Sequence, residues 1–499
     1  MSTPLIISVL ICYFLVLIGI SIVTSRKATS ETFFTGDRQS PWYLVAFGMI
    51  GASLSGVTFI SVPGKVINDG MAYFQVVLGY VLGYIVIAQL LMPLYYRLNV
   101  TSIYEYLEKR LGFISYKTGA AFFILSRTLG SAIRLYLATI VLQLFLFEGL
   151  GVPYWITACI TILLIWVYTF KGGIKTIVYT DTFQTFFLVS SVIICTIIVA
   201  QTLNVDFMGL WNKISATKTS TGQSLSRIFV LDDSNAKNYF FKHFFGGMFL
   251  AIAMTGLDQD LMQKNLTCKN IKEAQKNMYS FTIVLVATNF LFLVLGGALY
   301  VYAAAKGVDL PLKTDHTFPT LALTEFGTIA GIFFLLGITA SSYASADSAL
   351  AALTTGFCID FLNFKSREEK NKKRTMLFVH IGFSLLFLFI ILGTNWYIEQ
   401  NPKTDIIDMI LTLASYTYGP LIGLFAFGIF TKRNPLNVFV PIICVLIPLT
   451  CYITDKNSIE WFNGYKFGYE MLIINGILTF SALYFSSYFT NKQLLAHEN

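Results

Sequence analysis

The chain has 499 residues, of which 55% are hydrophobic and only 12% are charged, and its mean hydropathy is +0.67. Because about a quarter of the residues of a soluble globular protein are charged, this composition excludes such a protein and indicates a polytopic α-helical membrane protein. The net charge of +8 does not indicate nucleic-acid binding, since the Lys and Arg residues lie in short loops between apolar runs, where they set topology.

Apolar runs long enough to cross a hydrocarbon core of about 30 Å recur along the whole chain. The first is too long for the apolar part of a signal peptide, so it predicts a first spanning helix. We count about 13 runs, at 4–24, 41–64, 71–96, 116–147, 153–170, 177–203, 239–262, 274–304, 320–358, 375–394, 405–431, 434–453 and 467–489. The longest loop, 204–238, is expected to hold a short surface helix.

Basic residues cluster in alternate loops. If the N-terminus is outside and the C-terminus inside, every cluster falls on the cytoplasmic side, as the positive-inside rule requires. These residues are Arg26, Lys27 and Arg38 after the first run, Lys109 and Arg110 after the third, Lys264, Lys269 and Lys272 after the seventh, Lys365, Arg367, Lys370, Lys372, Lys373 and Arg374 after the ninth, and Lys432 and Arg433 after the eleventh.

Two runs are interrupted by weak helix formers in mid-span. Ser55-Gly56 lies in the second run and Thr255-Gly256 occupies a comparable place in the seventh. Paired interruptions of this kind indicate the binding site of an inverted-repeat transporter, with 41–203 as the first repeat and 239–431 as the second. Residues 4–24 and 434–489 are then extra helices at the two ends of one transport domain. The alternative is that both runs are kinked structural helices.

The ninth run carries hydroxyls and a carboxylate at helical spacing, in Ser341, Ser345, Asp347 and Ser348. Polar oxygens at bilayer depth are costly unless something binds them. Small hydroxyl ligands with a carboxylate suit a hard cation such as sodium. The alternative is that the small residues of this run permit close helix packing.

Several motifs occur together in one order along nearly the whole chain. With these motifs the chain resembles the sodium:solute symporter family, which includes bacterial proline, pantothenate, sialic acid and sodium/galactose symporters. The resemblance implies an all-α LeuT-type fold, a 5+5 inverted repeat with extra helices at both ends, and the count of apolar runs agrees with it. The motifs are Ser55-Gly56 with Pro63-Gly64, the segment 93–99 followed by 101–107, Gly172-Gly173 followed by Thr180-Asp181 and Gln184, and the hydroxyl-rich run that ends at Asp360.

By position, the resemblance implies a first sodium site made of the carbonyls of Gly51 and Leu54 with Ser341, Ala344 and Ser345. The chain departs from the family here, because the family usually has a hydroxyl where Ala344 stands and a small residue where Ser341 stands. These two positions are three residues apart and share one helical face. We therefore expect Ser341 to supply the missing oxygen.

A second sodium site, known in some members, carries over to Asp181, Ser345, Asp347 and Ser348. The family commonly has Ser or Thr where Asp347 stands. Two carboxylates would make a stronger cation site or one that accepts protons. The alternatives are that Asp181 is a helix-end charge facing cytoplasmic water and that Asp347 pairs with a nearby Lys.

The resemblance places the solute among six residues: Thr58, Gln75, Arg134, Met254, Thr255 and Thr412. Galactose-transporting relatives have a Tyr where Met254 stands and a Lys near Leu285, so the same sugar contacts are not expected. An Arg at bilayer depth must face a cavity or a carboxylate. Arg134, two turns after Arg127, therefore either binds a solute carboxylate or pairs with an internal acid such as Asp258 or Asp260.

These features predict a sodium-coupled symporter of the cell membrane that imports a small organic solute, such as a sugar, sugar acid or amino acid. Sodium is the expected metal and coupling ion, and no cofactor, nucleic acid or obligate protein partner is expected. The sequence shows no P-loop and no acid–base constellation in its loops, so neither an enzyme nor a primary pump is expected. The alternatives are proton coupling, sodium leak, or a transporter-like sensor, which would need a signalling domain where only about ten residues follow Thr490.

Overall fold

The computed structural model describes residues 3–25, 30–169, 173–362, 364, 368–401 and 404–497. The predicted features at Arg26, Lys27, Gly172, Lys365 and Arg367 lie outside this part. The helices discussed below are α1 Thr3–Thr24, α2 Trp42–Ser53, α3 Gly56–Asp69, α4 Phe74–Leu98, α5 Phe113–Leu150, α6 Tyr154–Thr169, α7 Gly173–Thr202, α8 Phe207–Ala216, α9 Phe240–Gly256, α10 Gln259–Asn265, α11 Ile271–Lys306, α12 Gly327–Phe361, α13 Glu369–Gln400, α14 Ile406–Thr417, α15 Gly419–Phe430, α16 Phe439–Lys456 and α17 Met471–His497.

The described residues contain 9 helices that are long and apolar enough to cross a membrane, or up to 12 if each bent pair of helices forms one span. A shorter apolar helix, Tyr154–Val167, coincides with the predicted fifth run. The all-helical, multi-spanning class predicted from composition is therefore confirmed, while the count of about 13 stays a prediction.

Both interruptions predicted from the sequence are breaks in the structure. The axes of α2 and α3 differ by 58°, and those of α9 and α10 differ by 69°. At the first break, Leu54 (φ −85, ψ 75) and Ser55 (φ −67, ψ 174) are both non-helical, so the chain leaves the helix for two residues before Gly56 starts the next. Each break leaves carbonyls without an intrahelical donor.

Two boundaries differ from the prediction. The eleventh run bends by 40° between α14 and α15, where Pro420 stands in the first turn of α15. Proline restricts the residue before it and disfavours a continuous helix. The ninth run was expected to begin at 320, but α12 begins at Gly327, whose φ of +81 belongs to the left-handed region that glycine tolerates.

The hydroxyl-rich helix α12 lies at the centre of the molecule. In the most apolar 18-residue stretch of α12, 83% of the residues are buried, whereas the corresponding stretches of α1 and α16 are 33% and 17% buried. Helices α7, α2 and α5 pack around it. The loop 204–238 contains α8, the short helix expected there.

Candidate ion and substrate site

A central cavity lies beside the two breaks. It is bounded by α2, α3, α4, α5, α9, α10, α11 and α14. Four of the six predicted solute residues line it, namely Thr58, Arg134, Met254 and Thr255. Two discontinuous helices facing one cavity are the geometry expected for a transporter binding site.

Gln75 and Thr412 do not line this cavity. Gln75 is fully buried, accepts a hydrogen bond from the Val230 N–H at 3.0 Å and donates to the Asn238 carbonyl at 3.1 Å, so it connects α4 to the segment before α9. Thr412 lines a separate cavity near Tyr416. The residues point away from the central cavity because neighbouring positions on a helix face different directions.

The sequence interpretation missed the tyrosines of the cavity. Tyr73, Tyr80 and Tyr84 all line it, and the Tyr73 and Tyr80 hydroxyls are 3.3 Å apart. Their spacing of seven and four residues places them on one face of the chain leading into α4 and of the helix itself, a signal that the sequence contains. Ser53 and Asn289 add further polar groups to the lining.

The two arginines of α5 have different surroundings. Arg127, only 3% exposed, forms an ion pair with Asp260 and lies 3.7 Å from the Asp258 carboxylate. Asp258 also accepts a hydrogen bond from the Tyr418 hydroxyl. Arg134 lies on the cavity wall, and among the described residues no carboxylate is within ion-pair distance of it. Arg127, rather than Arg134, is therefore the partner of the two internal acids.

The predicted ligands of the first sodium site come from the α2–α3 break and the adjacent face of α12. A Cβ at Gly56 would overlap the Ser342 side chain, which shows how closely α3 approaches α12. The Ser345 hydroxyl is buried and has no hydrogen-bond partner among the described residues, whereas Ser341 donates to the Ile338 carbonyl at 3.1 Å. Carbonyl oxygens at a helix end, together with a buried hydroxyl oxygen, are suitable ligands for a hard cation.

The Asp181 carboxylate is fully buried, so it is not a helix-end charge facing water. The Lys264 ammonium lies 2.5 Å from its Oδ2 atom, and the Ser348 hydroxyl lies 3.4 Å from the same atom. Lys264 is itself only 1% exposed. A buried carboxylate needs a compensating charge, and Lys264 supplies it for Asp181, a pairing that the sequence interpretation missed.

A charge network lies at the end of the bundle where α3 ends and α14 begins. The Lys65 ammonium is 2.8 Å from Asp408, 3.4 Å from Asp405 and 3.5 Å from Asp69. Lys237 also pairs with Asp408, at 3.0 Å. We call these five residues the Lys65 network. Since α3 and α14 each adjoin a helix break, the network connects the two elements beside the cavity.

Asp315 lies in the loop before α12, close to this network. Burial and, after it, the negative charge of Asp405 raise the pKa of its carboxyl from 3.8 to about 7. Lys65 and Lys313 act in the opposite direction but do not cancel the effect of burial. Desolvation disfavours the ionised form of a carboxyl group, which is the physical cause of the shift.

A multi-spanning helical protein with two broken helices around a central cavity is a secondary transporter by its architecture. The chain belongs to the sodium:solute symporter family, whose family model matches residues 33–437. It is accordingly a sodium-coupled symporter and not an enzyme, and sodium is its coupling ion.

Relatives and solved structures agree with this assignment. The chain is 24% identical over 479 residues to the sodium/sialic acid symporter NanT of Aliivibrio fischeri, covering 93% of this chain and 90% of that protein. It is 24% identical over 416 residues to human sodium-coupled monocarboxylate transporter 2, covering 81% and 64%. A substrate-bound, outward-open sodium-coupled sialic acid symporter superposes with a TM-score of 0.81 at 20% identity, covering 97% and 98%, which establishes the expected LeuT-like fold.

Proposed function

We propose that this symporter imports a small organic anion whose carboxylate binds to Arg134. The observation that carries the proposal is the position of Arg134 on the cavity wall, while Arg127 pairs with the nearby carboxylates of Asp258 and Asp260. A guanidinium group in a low-dielectric cavity presents a planar fork that suits a carboxylate. The two named relatives, a sialic acid symporter and a monocarboxylate transporter, both carry acids.

The lining of the cavity favours a carboxylate without an ammonium group. Its polar groups are hydroxyls, the Asn289 amide and two guanidinium groups, and no Asp or Glu is among its lining residues in the described part of the chain. An amino acid would bring a positive charge with no anionic partner there. Of the solutes considered from the sequence, a sugar acid fits better than an amino acid or a neutral sugar.

We propose a first sodium site at Gly51, Leu54, Ser341, Ala344 and Ser345, and a second at Asp181, Ser345, Asp347 and Ser348. The α2–α3 break and the buried Ser345 hydroxyl support the first site. The buried carboxylates of Asp181 and Asp347 support the second. Carbonyl, hydroxyl and carboxylate oxygens are the ligands that hard cations prefer.

An anionic solute makes the second sodium ion energetically important. One sodium ion with one monoanion moves no net charge, so a tenfold sodium gradient, worth about 1.4 kcal/mol, supports only about tenfold accumulation. Two sodium ions with one monoanion move one net positive charge. The sodium gradient then contributes twice about 1.4 kcal/mol, and a membrane potential of ~100 mV adds about 2.3 kcal/mol, which together support roughly 5,000-fold accumulation. The proposal therefore includes two sodium ions for each solute anion.

The proposed topology places the N-terminus outside and the C-terminus inside, with about 13 spans in a cell membrane. Residues 41–203 and 239–431 form the two inverted repeats, and 4–24 and 434–489 are additional helices. The breaks at comparable places, in α2–α3 and α9–α10, support this division. The chain acts without an obligate protein partner, and the bilayer surrounds it.

A thermal-shift screen of the purified protein tests the proposed solute class. The panel pairs sugar acids and monocarboxylates with their methyl esters, and adds amino acids and neutral sugars, each with and without sodium. A ligand that binds only the folded state raises the apparent melting temperature. We expect stabilisation by a free acid, dependent on sodium, and none by its ester. Equal stabilisation by an acid and its ester, or stabilisation by a neutral sugar alone, would contradict the anion proposal.

A further inference from the structure

A buried lysine contacts one of the residues proposed for the second sodium site. Lys264 lies in the last turn of α10 and is 1% exposed, and its ammonium is 2.5 Å from the Oδ2 atom of Asp181, which is fully buried. The Ser348 hydroxyl lies 3.4 Å from the same oxygen. Asp181 and Ser348 both belong to the proposed site, so the ammonium holds an oxygen that the sodium ion would also need.

The surroundings of Asp181 are closely packed, but its second carboxylate oxygen is available. A Cβ added at Gly48 of α2 would lie only 3.1 Å from the Asp181 Cβ, and α10 packs against α2, α7 and α12. In the described part of the chain, the buried Oδ1 atom has no hydrogen-bond partner. Because buried polar atoms nearly always have a partner, Oδ1 is a suitable ligand for a second cation that approaches Asp181.

Charge balance limits how many cations this carboxylate holds at one time. An ionised carboxylate at bilayer depth needs a compensating charge, which Lys264 supplies. A sodium ion on the same carboxylate would be repelled by the ammonium group. Stability alone does not account for the pair, since a buried ion pair is often no more stable than apolar side chains of similar volume. An exchange of cations at Asp181 does account for it.

We propose that Lys264 competes with the second sodium ion for the Asp181 carboxylate. This inference rests on the proposed second sodium site and leaves its ligands unchanged. Sodium binding releases the ammonium, which stays at the C-terminal end of α10, where the helix dipole favours a cation. When the ion leaves, the ammonium returns and neutralises the carboxylate. Because α10 follows the α9–α10 break, occupancy of the ion site is thereby linked to the position of a broken helix.

Sodium titrations of the melting temperature in detergent, without any solute, test the competition. Choline replaces sodium to keep the ionic strength constant. Lys264→Gln removes the competing cation, and a double variant, Asp181→Asn with Lys264→Gln, removes both charges. Lys242→Gln is the matched control, because Lys242 of α9 is also buried and its ammonium is 4.0 Å from Glu470, which is not a proposed sodium ligand. The readouts are the melting temperature without sodium, the sodium-induced rise and the sodium concentration at half of that rise.

In sodium-free buffer, Lys264→Gln should melt at a lower temperature than the parent, because the buried Asp181 carboxylate has lost its counter-charge. Sodium should restore the stability, with a larger rise than in the parent and a half-saturating concentration at least about fivefold lower, as expected for the loss of a competitor. The double variant should show a smaller sodium-induced rise than the parent. Lys242→Gln should keep the parental sodium response.

A sodium response of Lys264→Gln equal to that of the parent would overturn the competition. An equal gain in sodium affinity in the double variant would also overturn it, because the effect would not pass through Asp181. A Lys264→Gln protein that does not fold even in saturating sodium would do the same, since sodium would then not replace the ammonium. A double variant with the parental sodium-induced rise would instead contradict the proposed second site itself, and the identity of the solute affects none of these outcomes.

Discussion

At the scale of single residues, the two arginines of α5 differ in their contacts, and this difference distinguishes a structural ion pair from a side chain available to bind a solute. Arg127 is held by Asp258 and Asp260, whereas Arg134 lies on the cavity wall. From the sequence the two roles of Arg134 were equally supported, because residue spacing does not reveal which arginine the acids contact. The contact between α10 and α5 that decides the matter is a product of the tertiary fold.

If Arg134 binds a solute carboxylate, Arg134→Gln should weaken solute binding by about 2–3 kcal/mol, roughly 30- to 150-fold, through loss of a charge-assisted bidentate contact. Arg134→Lys should restore only part of the affinity, since an ammonium group cannot present the same fork. The measurement is solute affinity together with melting temperature in detergent.

Arg127→Gln is the matched control on the same helix. It leaves the buried Asp260 carboxylate without its ion pair, so it should lower the melting temperature and the yield of folded protein. An Arg134→Gln protein that is well folded and binds the acid with parental affinity would contradict the assignment of Arg134.

Ser345→Ala should raise the sodium concentration needed for half-maximal transport more than Ser342→Ala does. Both hydroxyls are buried without a hydrogen-bond partner among the described residues, so the pair is matched for burial. Ser342 faces Gly56 of α3, whereas Ser345 is placed at the proposed ion sites. The measurement is the sodium dependence of uptake, and equal effects of both substitutions would show that the ligand register on α12 is wrong.

Asp315 should make the folded protein less stable as the pH rises from about 4 to about 7. Its folded-state pKa of about 7 lies above the unfolded value of 3.8, so the unfolded state binds fewer protons between these values and stability falls as pH increases across that window. Asp315→Asn should flatten the dependence of melting temperature on pH between about 4 and 7. A variant whose pH profile superposes on that of the parent would show that Asp315 is not the titrating group.

At the scale of helices, glycine contacts set the distance between neighbouring spans. A Cβ added at Gly79 of α4 would overlap the backbone of Phe244 in α9, and one at Gly247 of α9 would overlap the backbone of Val76. Close approach of this kind through small residues is how helices associate in a bilayer. It also fixes α4 against α9, the helix whose broken end lines the cavity.

Gly79→Ala should lower the stability of the detergent-solubilised protein by about 1–3 kcal/mol, because the backbone that it meets cannot move away easily. Gly130→Ala is the control, since nothing lies within 4 Å of its added Cβ. There the substitution should stabilise α5 by about 0.5–1 kcal/mol, because alanine favours the helix more than glycine does. Melting temperatures that move in the same direction for both variants would contradict this account of the α4–α9 contact.

The helices themselves follow from the sequence more readily than their interruptions do. Apolar length identified the spans, and the Ser55-Gly56 and Thr255-Gly256 pairs identified two breaks that the structure contains. The third break, at Tyr418, was missed although Gly419-Pro420 marks it, because an apolar run masks a local change of direction. Gln75 and Thr412 lie away from the central cavity because each helix has only one face towards it, and the rotation of a helix is set by its packing partners.

At the scale of the whole molecule, family, fold class and sodium coupling were accessible from the sequence because they depend on composition and on motifs spread along the chain. The Asp181–Lys264 and Arg127–Asp260 ion pairs were not, since each joins residues more than 80 positions apart. Contacts between distant helices decide which polar residues remain available for ions and solute.

The central claim is that sodium drives the import of an anion held by Arg134, and uptake into proteoliposomes tests it most directly. With the acid identified by thermal shift as labelled solute, an inward sodium gradient should drive accumulation, and an inside-negative potential should increase it because two sodium ions accompany each anion. Arg134→Gln should abolish uptake at the same solute concentration. Uptake driven equally well by a pH gradient in sodium-free buffer, or sodium-driven uptake of a neutral solute by a well-folded Arg134→Gln protein at the parental rate, would contradict the account.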